Sequence, residues 1–443
     1  MRILSVLLGT AMLAGLAAPA HAAPAAAARP NILILLMDDA RTGTTWVMPK
    51  SEKWVRAGGS YFPNAVVTTP SCCPSRASLL SGRYAHNHGV TQQSGIGNLD
   101  HDRTLEHDLK GAGYRTAAVG KLFNDWNLST RPPYFDQWAL TGGGYNDARF
   151  VVDGVETTAP YSTTFVGAQV NKYIDTFEST DTTPWFIYAG FTAPHSPFTP
   201  EPQYANVSYP WSGNAGTKET DRTDKPAYVR NFTFTEERGA AVRQSQLRTL
   251  RSVDDAVDAI HQRLKARGEL DNTLVLLLSD NGVLWGEHAL QEKFMPYLEA
   301  ERVPTMLWWP GHIPVRTDTR LATYLDIAPT VLQAAGLTPS YVLDGRSLLA
   351  AGGRSETLEE YWRDASNNDH IPTWSSVYAI GDHMYTELYN PDGTVLDREY
   401  YDLRHDPSQL TNLLHDGDPG NDPDLGPLSA RLAALRQCSG DTC

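Results

Sequence analysis

An α/β fold built around a mainly parallel sheet follows from three features of the sequence. Continuous apolar runs such as Asn31–Met37 and Thr273–Ser279 suit strands covered on both faces. Helical periodicity lies between such runs, most clearly over Glu236–Arg267. Each run stops at polar residues rather than fading, and strands alternating with helices imply parallel pairing.

The elements follow in chain order. Residues 1–22 read as a secretory signal: Arg2 is the positive start, 3–18 the apolar stretch, and Ala20-His21-Ala22 the small-residue cleavage pattern. The apolar stretch is short for a membrane span. No arginine pair precedes it, which favours the general secretory route. Residues 23–29 form an Ala/Pro-rich leader. The mature chain is therefore expected to be soluble and secreted, extracellular or periplasmic. Strand Asn31–Met37 runs into Asp38-Asp39. In the segment 69–82, Pro74 fits the first position of a helix and Gly82 the place just past its end. Residues 115–119 form a short strand leading to Gly120-Lys121, and 185–191 another, followed by Pro194-His195. The polar stretch 206–235 has no periodicity and reads as a surface insertion of the kind that often lines a pocket. The helix Glu236–Arg267 places Leu247, Leu250, Val253, Val257, Ile260 and Leu264 on one face and stops at Gly268. Strand Thr273–Ser279 ends at Asp280-Asn281-Gly282. Residues 303–309 are a fifth strand, and 326–335 a helix capped by Asp326 and ended by Gly336.

Gly352-Gly353 reads as a hinge between a main domain, 30–351, and a smaller C-terminal domain, 352–443. The latter carries short strands at 376–380, 384–388 and 398–403 around the turn Asn390-Pro391-Asp392-Gly393. A helix at 428–436 follows. Cys438 and Cys443 could then close a terminal loop, as the oxidising compartment allows. Adjacent Cys72 and Cys73 are poorly placed to pair with each other.

A net charge of −14 on 443 residues argues against a nucleic-acid partner and against an anionic membrane surface. In open α/β sheets ligands bind beyond the carboxyl ends of the strands. Four strands here deliver Asp38 and Asp39, Lys121, His195, and Asp280 with Asn281 to that edge. Three carboxylates and an amide oxygen are hard donors. They suit Ca²⁺, with Mg²⁺ as the alternative, and would repel one another without a cation. Cys72 falls at a helix N-terminus, where free N–H groups favour anions, and Arg76 adds positive charge one turn in.

The run Cys72-x-Pro74-Ser75-Arg76, continuing to Leu80-Ser81-Gly82, resembles the signature of the type I sulfatases, members of the alkaline-phosphatase-like superfamily. Asp38-Asp39, Asp280-Asn281-Gly282, Gly286-Glu287-His288, Lys293 and Arg302-Val303-Pro304 resemble further family motifs. So do the helix start at 326–330 and the tail segments 399–403, Asp406-Pro407 and Asn412-Leu413. Together they span roughly residues 30 to 415.

The resemblance implies an alkaline-phosphatase-like sandwich with a small antiparallel C-terminal sheet, and a sulfuric ester hydrolase. It implies that Cys72 is oxidised to formylglycine by a maturation enzyme. Asp38, Asp39, Asp280, Asn281 and residue 72 itself would hold the cation. The hydrated aldehyde would attack sulfur, and its second hydroxyl would then expel sulfate. Lys121, His195 and Lys293 would bind sulfate or the leaving oxygen, His195 as general acid and Arg76 as brace.

Many family members carry His two residues after the strand-end Lys. Here Phe123 stands there, in Lys121-Leu122-Phe123-Asn124. That form, the doubled Cys and His86-Asn87-His88 look more like the glucosamine-6-sulfatase branch, and point to a sulfated glycan or other sulfated small molecule. Asn124 and His288 are further candidates for substrate binding. The alternatives are a phosphodiesterase or phosphonate monoester hydrolase on the same scaffold, and a secreted glycan-binding protein.

Overall fold

The computed structural model describes residues 29–180, 183–366 and 370–443. The signal segment and residues 23–28 of the leader lie outside the described residues.

A ten-stranded sheet runs through the body. Across it lie Arg316–Thr317, Ser60–Tyr61, Met306–Trp308, Thr273–Ser279, Asn31–Met37, Trp185–Gly190, Arg115–Gly120, Gln137–Thr141, Asn146–Val152 and Val155–Tyr161. The five strands from Thr273–Ser279 to Gln137–Thr141 are parallel, and antiparallel pairs extend both flanks. The register aligns the carboxyl ends. Met37 lies opposite Ser279, Leu36 opposite Gly190, and Gly190 opposite Gly120. The residues that follow each strand therefore emerge together at one edge.

The apolar runs are continuous because both faces are covered. Ile32, Ile34 and Leu36 face one core, with Ala77, Leu79 and Leu80 of the cysteine helix, Leu105 and Leu109, and Val331 and Leu332. Leu33, Leu35 and Met37 face a second core. It is roofed by Val166, Val170 and Ile174 of Ser162–Phe177 and by the predicted stripe of Glu236–Arg267. Each such side chain contributes about 1.5–3 kcal/mol on burial, so the two covers hold the central strands in place. The long helix matches its predicted bounds. The Thr235 hydroxyl accepts from the Arg238 N–H at its start, and Gly268 takes a left-handed φ of 80° at its end.

Several local expectations change. The fifth strand shortens to Met306–Trp308 and runs antiparallel. Pro304 has no N–H to give a ladder, and the Val303 N–H bonds the Ala65 carbonyl instead. The cysteine helix spans Cys72–Ser81, so Cys72 rather than Pro74 is its first residue. Asp326 caps as the last member of a capping box begun by Thr323, with the helix proper at Ile327–Ala334.

The C-terminal sheet is an antiparallel meander of Glu356–Tyr361, Thr373–Ala379, His383–Tyr389 and Val395–Asp402, one strand more than predicted. Its Trp374, Tyr378, Met384 and Leu388 pack on Val66, Phe294, Tyr297 and Leu321 of the body. Leu432 and Leu435 of the helix Leu425–Leu435 cover Leu358, Val377 and Tyr385. Cys438 and Cys443 are bridged.

Candidate active site

Asp38 and Asp39 leave the end of Asn31–Met37 by a sharp bend. Asp39 adopts φ 70°, a strained conformation for a residue with a side chain. The bend is held from the next strand: Asp280 Oδ1 accepts the Asp39 N–H at 3.0 Å, and Ser279 Oγ accepts the Ala40 N–H at 2.8 Å. Lys121 follows Gly120 with its N–H on the Gly190 carbonyl. His195 arrives from the third strand, its N–H on the Thr192 carbonyl and its own carbonyl bonded by the Tyr145 hydroxyl at 2.7 Å.

These groups meet at Cys72. Its Sγ lies 3.4 Å from Asp38 Oδ1 and accepts from Lys293 Nζ at 2.8 Å. Lys121 Nζ donates to Asp38 Oδ2 at 2.6 Å, Lys293 pairs with Asp39, and His195 Nε2 lies 3.7 Å from Asp39 Oδ2. Arg76 is fully buried beneath them. Its Nε bonds Asp280 Oδ2 at 2.8 Å, one terminal nitrogen bonds the Lys121 carbonyl at 2.6 Å, and the other stands 3.6 Å from Asp38. Burial alone would raise the carboxyl of Asp38. Lys121, His195 and Arg76 outweigh it and hold it well below the usual range. Asp39 is lowered likewise, burial being overcome by Lys293 and His195. Burial pushes the Cys72 thiol up to about 12 against Lys121 and Lys293, so as a thiol it is a poor nucleophile here.

The residues fit a divalent cation. One ligand atom from each of Asp38, Asp39, Cys72 and His195 lies within 4.8 Å of the others. Asn281 Nδ2 donates to Asp39 Oδ1 and to the Gly282 carbonyl, which fixes its amide orientation. Among the described residues its Oδ1 is buried without a hydrogen-bond partner, as an oxygen set to ligate an ion would be. The buried carboxylates of Asp38, Asp39 and Asp280 balance Arg76, Lys121 and Lys293 in charge. An added divalent cation would leave the pocket net positive, suited to an anionic ester.

Two clefts open on this centre and share Gln93, Asn124 and His195. One, of about 670 Å³, is walled by Lys121, Phe123, Asp125, Trp126, Arg149 and Ser366. The other, of about 420 Å³, is walled by Asp39, Phe198, Phe234, Lys293 and Phe294. Phe234 comes from the irregular 206–235 stretch. A larger cavity of about 780 Å³ lies away from the centre, between 226–232 and the C-terminal sheet.

Of the predicted site residues, Asp38, Asp39, Cys72, Arg76, Lys121, His195, Asp280, Asn281 and Lys293 come together. Asn124 sits at the rim. His288 does not join them. It is buried, its Nδ1 lies 2.8 Å from Glu219 Oε2, and its ring stacks on Tyr297. Its φ of 56° makes it part of a turn. Phe123 is buried against the body core. Sequence reasoning missed Gln93. A glutamine in a polar loop carries no signal of its own, and only the folded contacts with Cys73 and Asn124 single it out.

The chain is similar to several known proteins. Residues 30–337 match the profile of the family described as Sulfatase, and 286–437 that of the N-sulphoglucosamine sulphohydrolase C-terminal region. An extracellular sulfatase SULF-1 homolog of Drosophila melanogaster is 30% identical over 366 residues, covering 76% of this chain and 32% of its own length. The N-acetylglucosamine-6-sulfatase of Homo sapiens is 29% identical over 488 residues, covering 94% of this chain and 86% of its own. The chain spans about a third to a half of the length of the first two curated relatives it matches. A protein solved in complex with its substrate D-glucosamine-2-N,6-O-disulfate superposes with a TM-score of 0.80 at 21% identity, over 92% of this chain and 97% of that one. The chain belongs to the sulfatase family, in an alkaline-phosphatase-like fold.

Proposed function

We propose that this protein hydrolyses a 6-O-sulfate ester on a glucosamine-type sugar, releasing inorganic sulfate. The observation that carries the reading is Cys72, held at a buried helix start against Lys293 and Asp38. A thiol raised to about 12 gains nothing from that setting, whereas a residue matured to formylglycine does. Formylglycine, when formed, supplies the attacking hydroxyl, and a divalent cation held by Asp38, Asp39, Asp280 and Asn281 would supply positive charge beside it. Arg76 fixes the carboxylates so that they do not move as charge develops. Lys121 and Lys293 offer ammonium groups to the sulfate oxygens. His195 Nδ1 lies 2.9 Å from the Ser196 carbonyl, an obligate acceptor, so Nδ1 carries a proton and Nε2 faces the site. In the imidazolium form Nε2 carries a second proton, which it can give to the leaving sugar oxygen, so that the sugar departs as an alcohol and His195 is left neutral. Ca²⁺ is the favoured ion, the donors being oxygen-rich.

The names of the N-acetylglucosamine-6-sulfatase relatives support a glycan substrate. The Cys438–Cys443 bridge supports an oxidising compartment and hence secretion. Among the described residues no helix is long and apolar enough to cross a membrane.

Protein matured by a formylglycine-generating enzyme should release sulfate from N-acetylglucosamine 6-sulfate. Cys72→Ala or removal of divalent cations should abolish release. Turnover of a phosphonate monoester with none of the sugar sulfate would replace this reading with the phosphonate hydrolase alternative.

A further inference from the structure

Gln93 lies where the two clefts join and lines both. It is nearly buried, at 9% exposure. Its Oε1 accepts the backbone N–H of Cys73 at 3.1 Å and Asn124 Nδ2 at 2.9 Å. The Cys73 N–H can only donate, so the Gln93 oxygen must face it. That oxygen in turn requires the nitrogen of Asn124 to face Gln93. One backbone N–H thus sets the orientation of both amides, without the ambiguity that normally attends them.

The consequence is directional. Gln93 Nε2, with two N–H groups, makes no hydrogen bond among the described residues, and neither does Asn124 Oδ1. Each belongs to a side chain lining the clefts beside Lys121 and His195. A third tie holds the pair. The backbone N–H of Gln93 donates to Asp364 Oδ2 at 3.2 Å, and Asp364 Oδ1 accepts from Ser366 Oγ at 2.6 Å, so the segment that follows strand Glu356–Tyr361 braces the loop.

We propose that Gln93 is a specificity-determining residue of this site. With Asn124 it presents a fixed donor and a fixed acceptor to the sugar next to the reacting sulfate. A sugar hydroxyl, or an amide on the neighbouring carbon, both donates and accepts, and so answers both groups at once. An aryl ring does neither. The pair's role is to orient the sugar, while the fixed cations bind the sulfate. The assignment rests on the sulfate-ester reading above.

The test uses matured enzyme, N-acetylglucosamine 6-sulfate as substrate and inorganic sulfate as competitive inhibitor. In Gln93→Met the KM for the sugar should rise about tenfold, as when hydrogen bonds made in both ground and transition states are lost. The inhibition constant of sulfate, which makes no sugar contact, should stay within about twofold. Asn124→Ala, at a half-buried rim position, should give the same split and guards against a folding defect in the first variant. An unchanged KM, or KM and the sulfate constant rising together, would overturn the assignment. Absence of sulfate release by the unaltered enzyme would instead sink the parent reading, and this one with it.

Discussion

Glu301 and Glu359 show how a single pair of side chains sets a property the active centre does not use. Both are buried, and among the described residues none of their four carboxylate oxygens finds a hydrogen-bond partner. Burial pushes Glu359 up to about 8, although the neighbouring Glu301 and the charge of Arg302 pull the other way. Burial and Glu359 together raise Glu301 well above its usual range. The folded protein therefore keeps protons that the unfolded chain has already released. The pair's contribution is whole below the ordinary glutamate value of 4.5 and is lost as pH rises towards 8. The slope is about 1.4 kcal/mol per pH unit for one group. Glu359→Gln removes that titration and supplies an amide donor to Glu301. Its melting temperature should exceed that of the unaltered protein at pH 8, with the gap closing towards pH 4.5. Melting curves across that range check it, and a gap that does not change with pH would refute it.

At the scale of elements, the centre depends on how closely the strands approach at their carboxyl ends. A Cβ built on Gly190 would lie 2.0 Å from the Lys121 carbonyl and 3.3 Å from an Arg76 nitrogen. Gly120 beside it holds φ 82° with the Gly190 carbonyl against it. Gly190→Ala must therefore push apart the strands carrying Lys121 and His195. Overpacking of this kind costs about 1–3 kcal/mol. Displacing the site by an ångström costs about 100-fold in rate. The expected variant is folded, melts lower and has lost at least that much kcat; near-normal kcat would show that the strand edge does not set the site.

The same scale explains what the sequence made legible. Strands buried on both faces announced themselves as unbroken apolar runs, and four of the five gave the polar residues at their ends. The flanking strands Gln137–Thr141, Asn146–Val152 and Val155–Tyr161 did not. Exposed Asp147, Arg149 and Glu156 interrupt their pattern, and they are held by pairing with neighbours rather than by burial. His288 read as a candidate because Gly286-Glu287-His288 resembles a family motif, yet a left-handed turn carries it out of the centre.

At the scale of the whole molecule, the C-terminal sheet and tail converge on the segment that follows the cysteine helix. His86 lies 2.9 Å from Glu360 Oε2 by one ring nitrogen and 3.0 Å from the Cys438 carbonyl by the other. Asn87 Nδ2 donates to the same carbonyl and to Asp344. Asp344 also accepts from Tyr84 and from Gly440 inside the terminal disulfide loop. Of His86-Asn87-His88, read in the sequence as a branch feature, His86 and Asn87 form in the fold a clamp between body and tail, while His88 bonds Ser78 Oγ within the body. The tail thereby steadies the helix whose first residue is Cys72. All of this architecture converges on the chemical state of that one residue. The most direct measurement is peptide mass spectrometry across residue 72, on protein secreted from a host that carries the maturation enzyme. The expected residue is one in which –CH₂SH has become –CHO, at position 72 and not at 73. An intact thiol at 72 in protein that nonetheless releases sulfate would contradict it.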